Sequence, residues 1–125
     1  MPRTTTTKTK PESGAEIRVR PLRRNDGGVI ERLFGPRGAC GGCWCMAWRS
    51  QFGGKRWRAS LGEPNRRAFE SLVTSGEVHG VLAFAGSEPV GWCSIGPRAD
   101  FPALERSRVL RTDWTPKTWA VSCFF

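Results

Sequence analysis

Tyrosine is absent from this chain, and histidine occurs once, at His79. Proton transfer near neutral pH usually draws on imidazole, phenol or carboxyl groups. The composition therefore excludes a Tyr proton donor and confines any His chemistry to one side chain. Long apolar runs are also missing. No stretch approaches the ~20 residues of a helical membrane span, and residues 1–14 lack the roughly 7–15 apolar residues of a secretory signal. The expectation is a cytoplasmic protein with no membrane partner, whose five cysteines are reduced.

The 125 residues suit one domain with a modest core. Six Trp and seven Phe supply most of it, since each aromatic side chain buries roughly 150–250 Å². The net charge is +9, and 16 of the 20 basic residues are Arg. Such a surplus suits phosphates, nucleic acid or an anionic cofactor. It is spread along the chain and densest over residues 49–67, where six basic residues meet Glu63 alone.

Residues 1–15 carry four consecutive Thr and no large apolar side chain after Met1, so they read as a disordered leader. The ordered domain is expected over residues 16–125. Ile17-Arg18-Val19-Arg20 alternates as a half-buried strand closed by Pro21. Asn25 or Asp26 can cap a helix whose apolar face is Val29, Ile30, Leu33 and Phe34. Residues 37–55 read as irregular, with Gly41-Gly42 and Gly53-Gly54 as flexible loops. A helix entered at Pro64 buries Phe69, Leu72 and Val73 and stops at Gly76. A hairpin follows, with strands over 81–85 and 90–95 joined by a turn through 86–89. A short helical stretch over 102–110 is anchored by Leu104 and Val109. Residues 119–125 read as a buried terminal strand, an aggregation hazard if exposed. The order predicts an α+β fold with adjacent antiparallel strands.

Specific residues sharpen this order. Ile17-Arg18-Val19-Arg20-Pro21-Leu22 running into the Asp26 helix resembles the opening of the GNAT superfamily, the acyl-CoA N-acyltransferases. Gly86-Ser87-Glu88-Pro89-Val90-Gly91-Trp92 is similar to that superfamily's acidic-turn hairpin. Cys43-Trp44-Cys45-Met46 with Trp48-Arg49, Leu104-Glu105-Arg106-Ser107-Arg108 and Val121-Ser122-Cys123-Phe124-Phe125 resemble a subgroup of uncharacterised members. The resemblance implies a GNAT-like fold, here its N-terminal part with a mixed sheet and two helices. It implies acetyl transfer from acetyl-CoA to a primary amine on a small molecule or peptide, by direct attack. In the superfamily an Arg/Gln-x-x-Gly-x-Gly/Ala turn that holds the cofactor pyrophosphate follows the strand resembling residues 119–125. No such turn occurs in these residues. The expectation is a chain truncated before that loop, lacking the C-terminal half and inactive as it stands. By position, Ser122, Cys123, Phe124 and Phe125 would contact the acyl group and pantetheine arm, chiefly through backbone groups.

Other chemistry stays open beside the resemblance. Cys40-x-x-Cys43 with Cys45 is a zinc half-site pattern, but its partners Cys93 and His79 match no standard spacing, and buried structural cysteines are favoured. A redox pair at Cys40 and Cys43 lacks the expected strand-to-helix setting. Trp44, Trp48 and Arg49, with Trp57, Arg56 and Arg58, form either an acceptor-binding wall or a second small core. Glu105 reads as salt-bridged to Arg106 or Arg108. No catalytic acid or base is singled out and no metal is assigned. Nucleic acid is the weaker alternative, through Arg and stacked Trp, as is a zinc-stabilised interaction module. A homodimer stays open.

Overall fold

The structure, a computed structural model, describes residues 16–51 and 53–125; the leader expected over residues 1–15 lies outside them. β1 (Ile17–Pro21) leads to α1 (Gly27–Phe34), α2 (Gly54–Ser60) and α3 (Glu63–Ser75). β2 (Gly80–Ala85) and β3 (Glu88–Pro97) form the hairpin, and two 3₁₀ turns, Arg98–Asp100 and Pro102–Arg106, precede β4 (Trp119–Phe124). The strands form one antiparallel sheet in the order β1-β2-β3-β4. The fold is α+β, but the sheet is wholly antiparallel rather than mixed. None of the described helices is long and apolar enough to cross a membrane.

Alternation along β3 decides where the core lies. Trp92, Ser94 and Gly96 are buried on one face with Leu82 of β2. Against that face α1 packs Ile30, Leu33 and Phe34, and α3 packs Phe69 and Val73. Phe34 is the hub: its ring centre lies 6.0 Å from Phe69, 5.6 Å from Trp44 and 5.4 Å from Phe125. Burying each such side chain contributes about 1.5–3 kcal/mol. Gly76 ends α3 in the left-handed conformation, φ 78°, as its position after the last apolar turn predicts.

Asp26 precedes α1, yet its side chain does not cap the helix. Both carboxylate oxygens accept from the Arg20 guanidinium, at 2.7 and 2.8 Å, and the Arg23 backbone N–H adds a bond of 2.6 Å. The Arg20 hydrogen bond, with help from Arg23, holds the Asp26 carboxyl below its usual range. A bidentate pair of this kind fixes orientation as well as energy; here it ties the end of β1 to the start of α1.

Several expectations are corrected. Three α-helices occur among the described residues, not two. α2 escaped notice because it buries no residue and so has no apolar stripe to read. Gly53 and Gly54, expected in a flexible loop, are its N-cap and first residue. Val109 is 89 % exposed and anchors nothing. β4 is not a buried strand but the sheet's edge, with Trp119, Val121 and Phe124 exposed. Ile17 and Val19 of β1 lie on the same uncovered, apolar face.

Gly42 is buried and clamped rather than flexible. Its carbonyl accepts from the Gly62 N–H at 2.9 Å and from Asn65 Nδ2 at 3.3 Å. Its φ is +82°, and a Cβ there would lie 2.5 Å from the Gly62 nitrogen. Gly41, at φ +61°, faces open space. Gly42→Ala is therefore expected to lower stability by roughly 2–3 kcal/mol. Gly41→Ala should cost only about 1 kcal/mol. Urea unfolding of both variants checks the difference, and equal losses would contradict the clamp.

Candidate functional site

Residues 37–50 cross beneath the sheet as a succession of turns closed by their own backbone. Gly42 N–H reaches Arg37 at 2.8 Å, Trp44 N–H reaches Gly38 at 3.1 Å, and Met46 N–H reaches Cys43 at 2.8 Å. Trp44 and Cys45 both adopt left-handed backbone, at φ 45° and 54°. That conformation costs a residue with a side chain about 1–2 kcal/mol. The Trp44 indole lies against Gly38, where a Cβ would come within 2.2 Å of its Nε1, and packs on Phe34. With Trp44 anchored in this way, the next side chain, Cys45, is delivered to the underside of β3.

Cys45 is 7 % exposed and sits among hydrogen-bond donors. Trp92 Nε1–H donates to its sulfur at 3.4 Å. Ser94 is fully buried. Its oxygen accepts from Arg49 Nη2 at 2.8 Å and from the Ser122 hydroxyl at 2.9 Å. Those two bonds leave the Ser94 hydrogen to turn toward Cys45.

The register of β4 builds half of this network. Ser94 pairs with Cys123 and Ile95 with Val121, so Ser122 is an extra residue in a bulge. Ser122 and Cys123 consequently both meet the Ser94 side of the sheet. Beyond the bulge the ladder resumes, and Phe125 exchanges both backbone bonds with Trp92, at 2.8 and 2.9 Å. Phe124, the intervening residue, turns its backbone N–H to the free edge.

Arg49 supplies the charge. It is 8 % exposed, and its guanidinium lies 4.8 Å from the ring centre of Phe101 and 6.0 Å from that of Phe69. Among the described residues no carboxylate lies within salt-bridge reach of it, and its Nε has no hydrogen-bond partner. A buried cation is costly unless a counter-charge compensates it, and the nearby ionisable group is Cys45. The Cys45 thiol is lowered to about 6, chiefly by the bond from Cys123. Trp92, the Arg49 charge and Ser94 add to this, and burial opposes it. The Cys123 thiol is pushed up, by its interaction with Cys45 first and by burial second. The Cys123 thiol donates to the Phe124 carbonyl at 3.6 Å. Cys93 is also pushed up, by burial first and by Cys45 second.

The other residues singled out from the sequence are dispersed. Trp44 lies in the core and Arg49 in the network. Trp48 is half-buried and shares a cleft of about 340 Å³ with Trp57, Ala103 and Arg106, while Arg56 and Arg58 lie exposed on α2. His79 is exposed and pairs with Asp100 at 3.3 Å. Glu105 pairs with Arg98, not with Arg106 or Arg108. Among the described residues no three His, Cys, Asp or Glu side chains gather around a metal position. Sequence reasoning missed Trp92 and Ser94, although their alternation with Gly91 and Cys93 puts them on one face. Comparison with known proteins finds no matching family model, no similar curated protein and no similar solved structure.

The geometry makes Cys45 the most acidic thiol of the network. Thiolate absorbance is expected to grow in as pH rises through about 6, well below the ordinary thiol range near 8.5. Cys45→Ser should remove that step, and Ser94→Ala should move it to higher pH. Arg49 is the charged group facing the sulfur, with Cys123 and Cys93 the neighbouring titratable ones. A spectrum with no thiolate below pH 8 would remove the assignment.

Proposed function

We propose that the chain is part of a GNAT-like N-acyltransferase that moves an acetyl group from acetyl-CoA to a primary amine. The observation that carries this reading is the free, bulged edge of β4, closing a sheet of order β1-β2-β3-β4 with the helices inserted between β1 and β2. That is the order of elements on which the resemblance rests. An edge strand interrupted by a bulge leaves backbone donors for a ligand.

The acyl thioester would lie along β4, its carbonyl accepting from the Phe124 N–H at the edge. A donor aimed at that oxygen stabilises the charge that develops as the amine attacks. The amine nitrogen bonds to the acyl carbon, the carbon–sulfur bond breaks, and CoA leaves as its thiolate. Ser122, Cys123, Phe124 and Phe125 would contact the acyl group and pantetheine arm. The acceptor would enter from the cleft of Trp48, Trp57 and Arg106, whose aromatic walls suit an apolar or aromatic amine. The net charge of +9 favours an anionic co-substrate.

S-acetyl-pantetheine tests the reading without demanding a pyrophosphate site. Titrated into the protein, it is expected to shift the backbone amide resonances of residues 122–125 ahead of all others, and pantetheine alone should shift them less. Amides of β4 that stay still at saturating concentration would refute the proposal. Trp48→Ala should leave those shifts intact while weakening acceptor binding.

A further inference from the structure

In the sequence the cations are spread along the chain, but the fold gathers two of the basic stretches around one cleft. α2 contributes Lys55, Arg56 and Arg58, all exposed. The 3₁₀ turn Pro102–Arg106 and the residues after it contribute Arg106, Arg108 and Arg111, also exposed. Between them lies the cleft of about 340 Å³, with Trp57 on one wall and Ala103, Arg106 and Ser107 on the other. Ser107 folds the second group back on itself. Its carbonyl accepts from the Arg111 N–H at 3.0 Å and its hydroxyl from the Leu110 N–H at 3.1 Å. Arg106 Nη2 donates to the Ser50 carbonyl at 2.9 Å, which ties this wall to the segment carrying Trp48.

Counter-charges are missing from this face. Elsewhere Arg20, Arg32, Arg66, Arg67 and Arg98 are paired with carboxylates. Among the described residues Lys55, Arg58, Arg108 and Arg111 have no such partner. α2 carries no acidic residue. Glu105, beside the second group in sequence, is turned to Arg98 and accepts from the Trp114 indole N–H.

The cleft also offers aromatic surface that nothing uses. Trp48 and Trp57 are half-buried in its lining. Among the described residues neither ring meets another aromatic ring, and neither indole N–H has a hydrogen-bond partner. The Trp92 and Trp114 indoles, by contrast, both donate. Trp57 packs against the core cluster, so its ring is held in place. The cleft volume falls within the roughly 300–1,000 Å³ of small-ligand sites, room for one planar ring system. The cations around it outnumber what a single anionic group needs. A groove of cations beside aromatic rings fits a chain of phosphates carrying bases.

We propose that the cleft between α2 and Ser107 binds single-stranded nucleic acid, with a base against Trp48 and Trp57 and phosphates on Lys55, Arg58, Arg108 and Arg111. Every base has a π-face, so such a site takes single strands with little regard to sequence. An acidic peptide would satisfy the cations and leave the rings unused. The inference does not rest on acyl transfer, although the cleft is the one an acceptor amine would enter; a nucleic acid bound there would exclude a free amine.

The test titrates the full chain with a labelled single-stranded oligothymidylate of about ten nucleotides. A one-to-one complex with quenched Trp fluorescence is expected. Its log affinity should fall against log salt with a slope of about −3, from four phosphates at about −0.7 each. Trp48→Ala and Trp57→Ala should each weaken binding roughly tenfold and leave that slope unchanged. Arg58→Gln and Arg108→Gln should each flatten the slope by about 0.7, while Arg32→Gln, on α1, should change neither quantity. Undiminished binding by both Trp variants would reduce the complex to polyanion attraction and overturn the proposal. So would displacement of the oligonucleotide by polyglutamate at equal charge, the mark of an acidic-peptide surface, or no binding at about 50 mM salt. Circular dichroism separates a lost contact from a lost fold in the Trp variants. The exposed Arg variants carry the test if either Trp variant fails to fold.

Discussion

A guanidinium buried without a carboxylate is the constraint around which the middle of this molecule is arranged. Arg49 is almost wholly removed from water, and its guanidinium lies over the rings of Phe101 and Phe69 while bonding to the hydroxyl of Ser94. Taking such an ion out of water costs several kcal/mol. The surroundings respond in two ways. Polar groups that could have been apolar are retained under β3, Ser94 foremost and Ser122 behind it. An ionisable sulfur is also brought close, on a backbone whose conformation is itself unfavourable. Replacing Ser94 with Ala would leave Arg49 Nη2 without this acceptor. The polar knot therefore stands or falls as a unit.

The edge strand completes that knot, which explains its shape. An unbulged β4 would turn Ser122 away from Ser94, because side chains alternate with a period of two. The extra residue lets both Ser122 and Cys123 meet the core side while Phe125 still inserts beside Phe34. The same device leaves Phe124 and Val121 on the uncovered face with Ile17 and Val19. An apolar face of this kind attracts further contacts, so satisfaction of the core and exposure of the outer face share one cause.

The parts of the fold legible in the sequence were those with local periodicity. β1 alternates, α1 has Ile30, Leu33 and Phe34 on one face, and α3 has Phe69 and Val73 before Gly76. The hairpin was announced by its Gly86-Ser87 turn. α2 was invisible for the converse reason: a helix that buries nothing has no pattern. The clamp at Gly42 is hidden because composition cannot distinguish a flexible glycine from one pressed against Gly62. Position in a sheet is likewise non-local. The apolar run at residues 119–125 fits a central strand as well as an edge strand, and only the pairing with β3 alone decides it.

The site was the least legible feature, and the cysteines show why. Local spacing draws attention to Cys40 and Cys43, the Cys-x-x-Cys pair, yet Cys40 is exposed and Cys43 makes only a long contact, 3.9 Å, to the Gly38 carbonyl. Cys45 gains its character from Trp92, Ser94 and Cys123, on strands formed much later in the chain. A thiol's acidity is a property of the donors and charges around it, and here all but Arg49 arrive through tertiary pairing. What the sequence could have offered is an asymmetry. Along β3, Trp92 and Ser94 share a face with buried Gly96, and a polar Ser between two core positions needs partners. The chain satisfies that need from both sides, with Arg49 from below and Ser122 from the neighbouring strand. Ser94 is thus the residue through which the segment beneath the sheet and the edge strand sense each other.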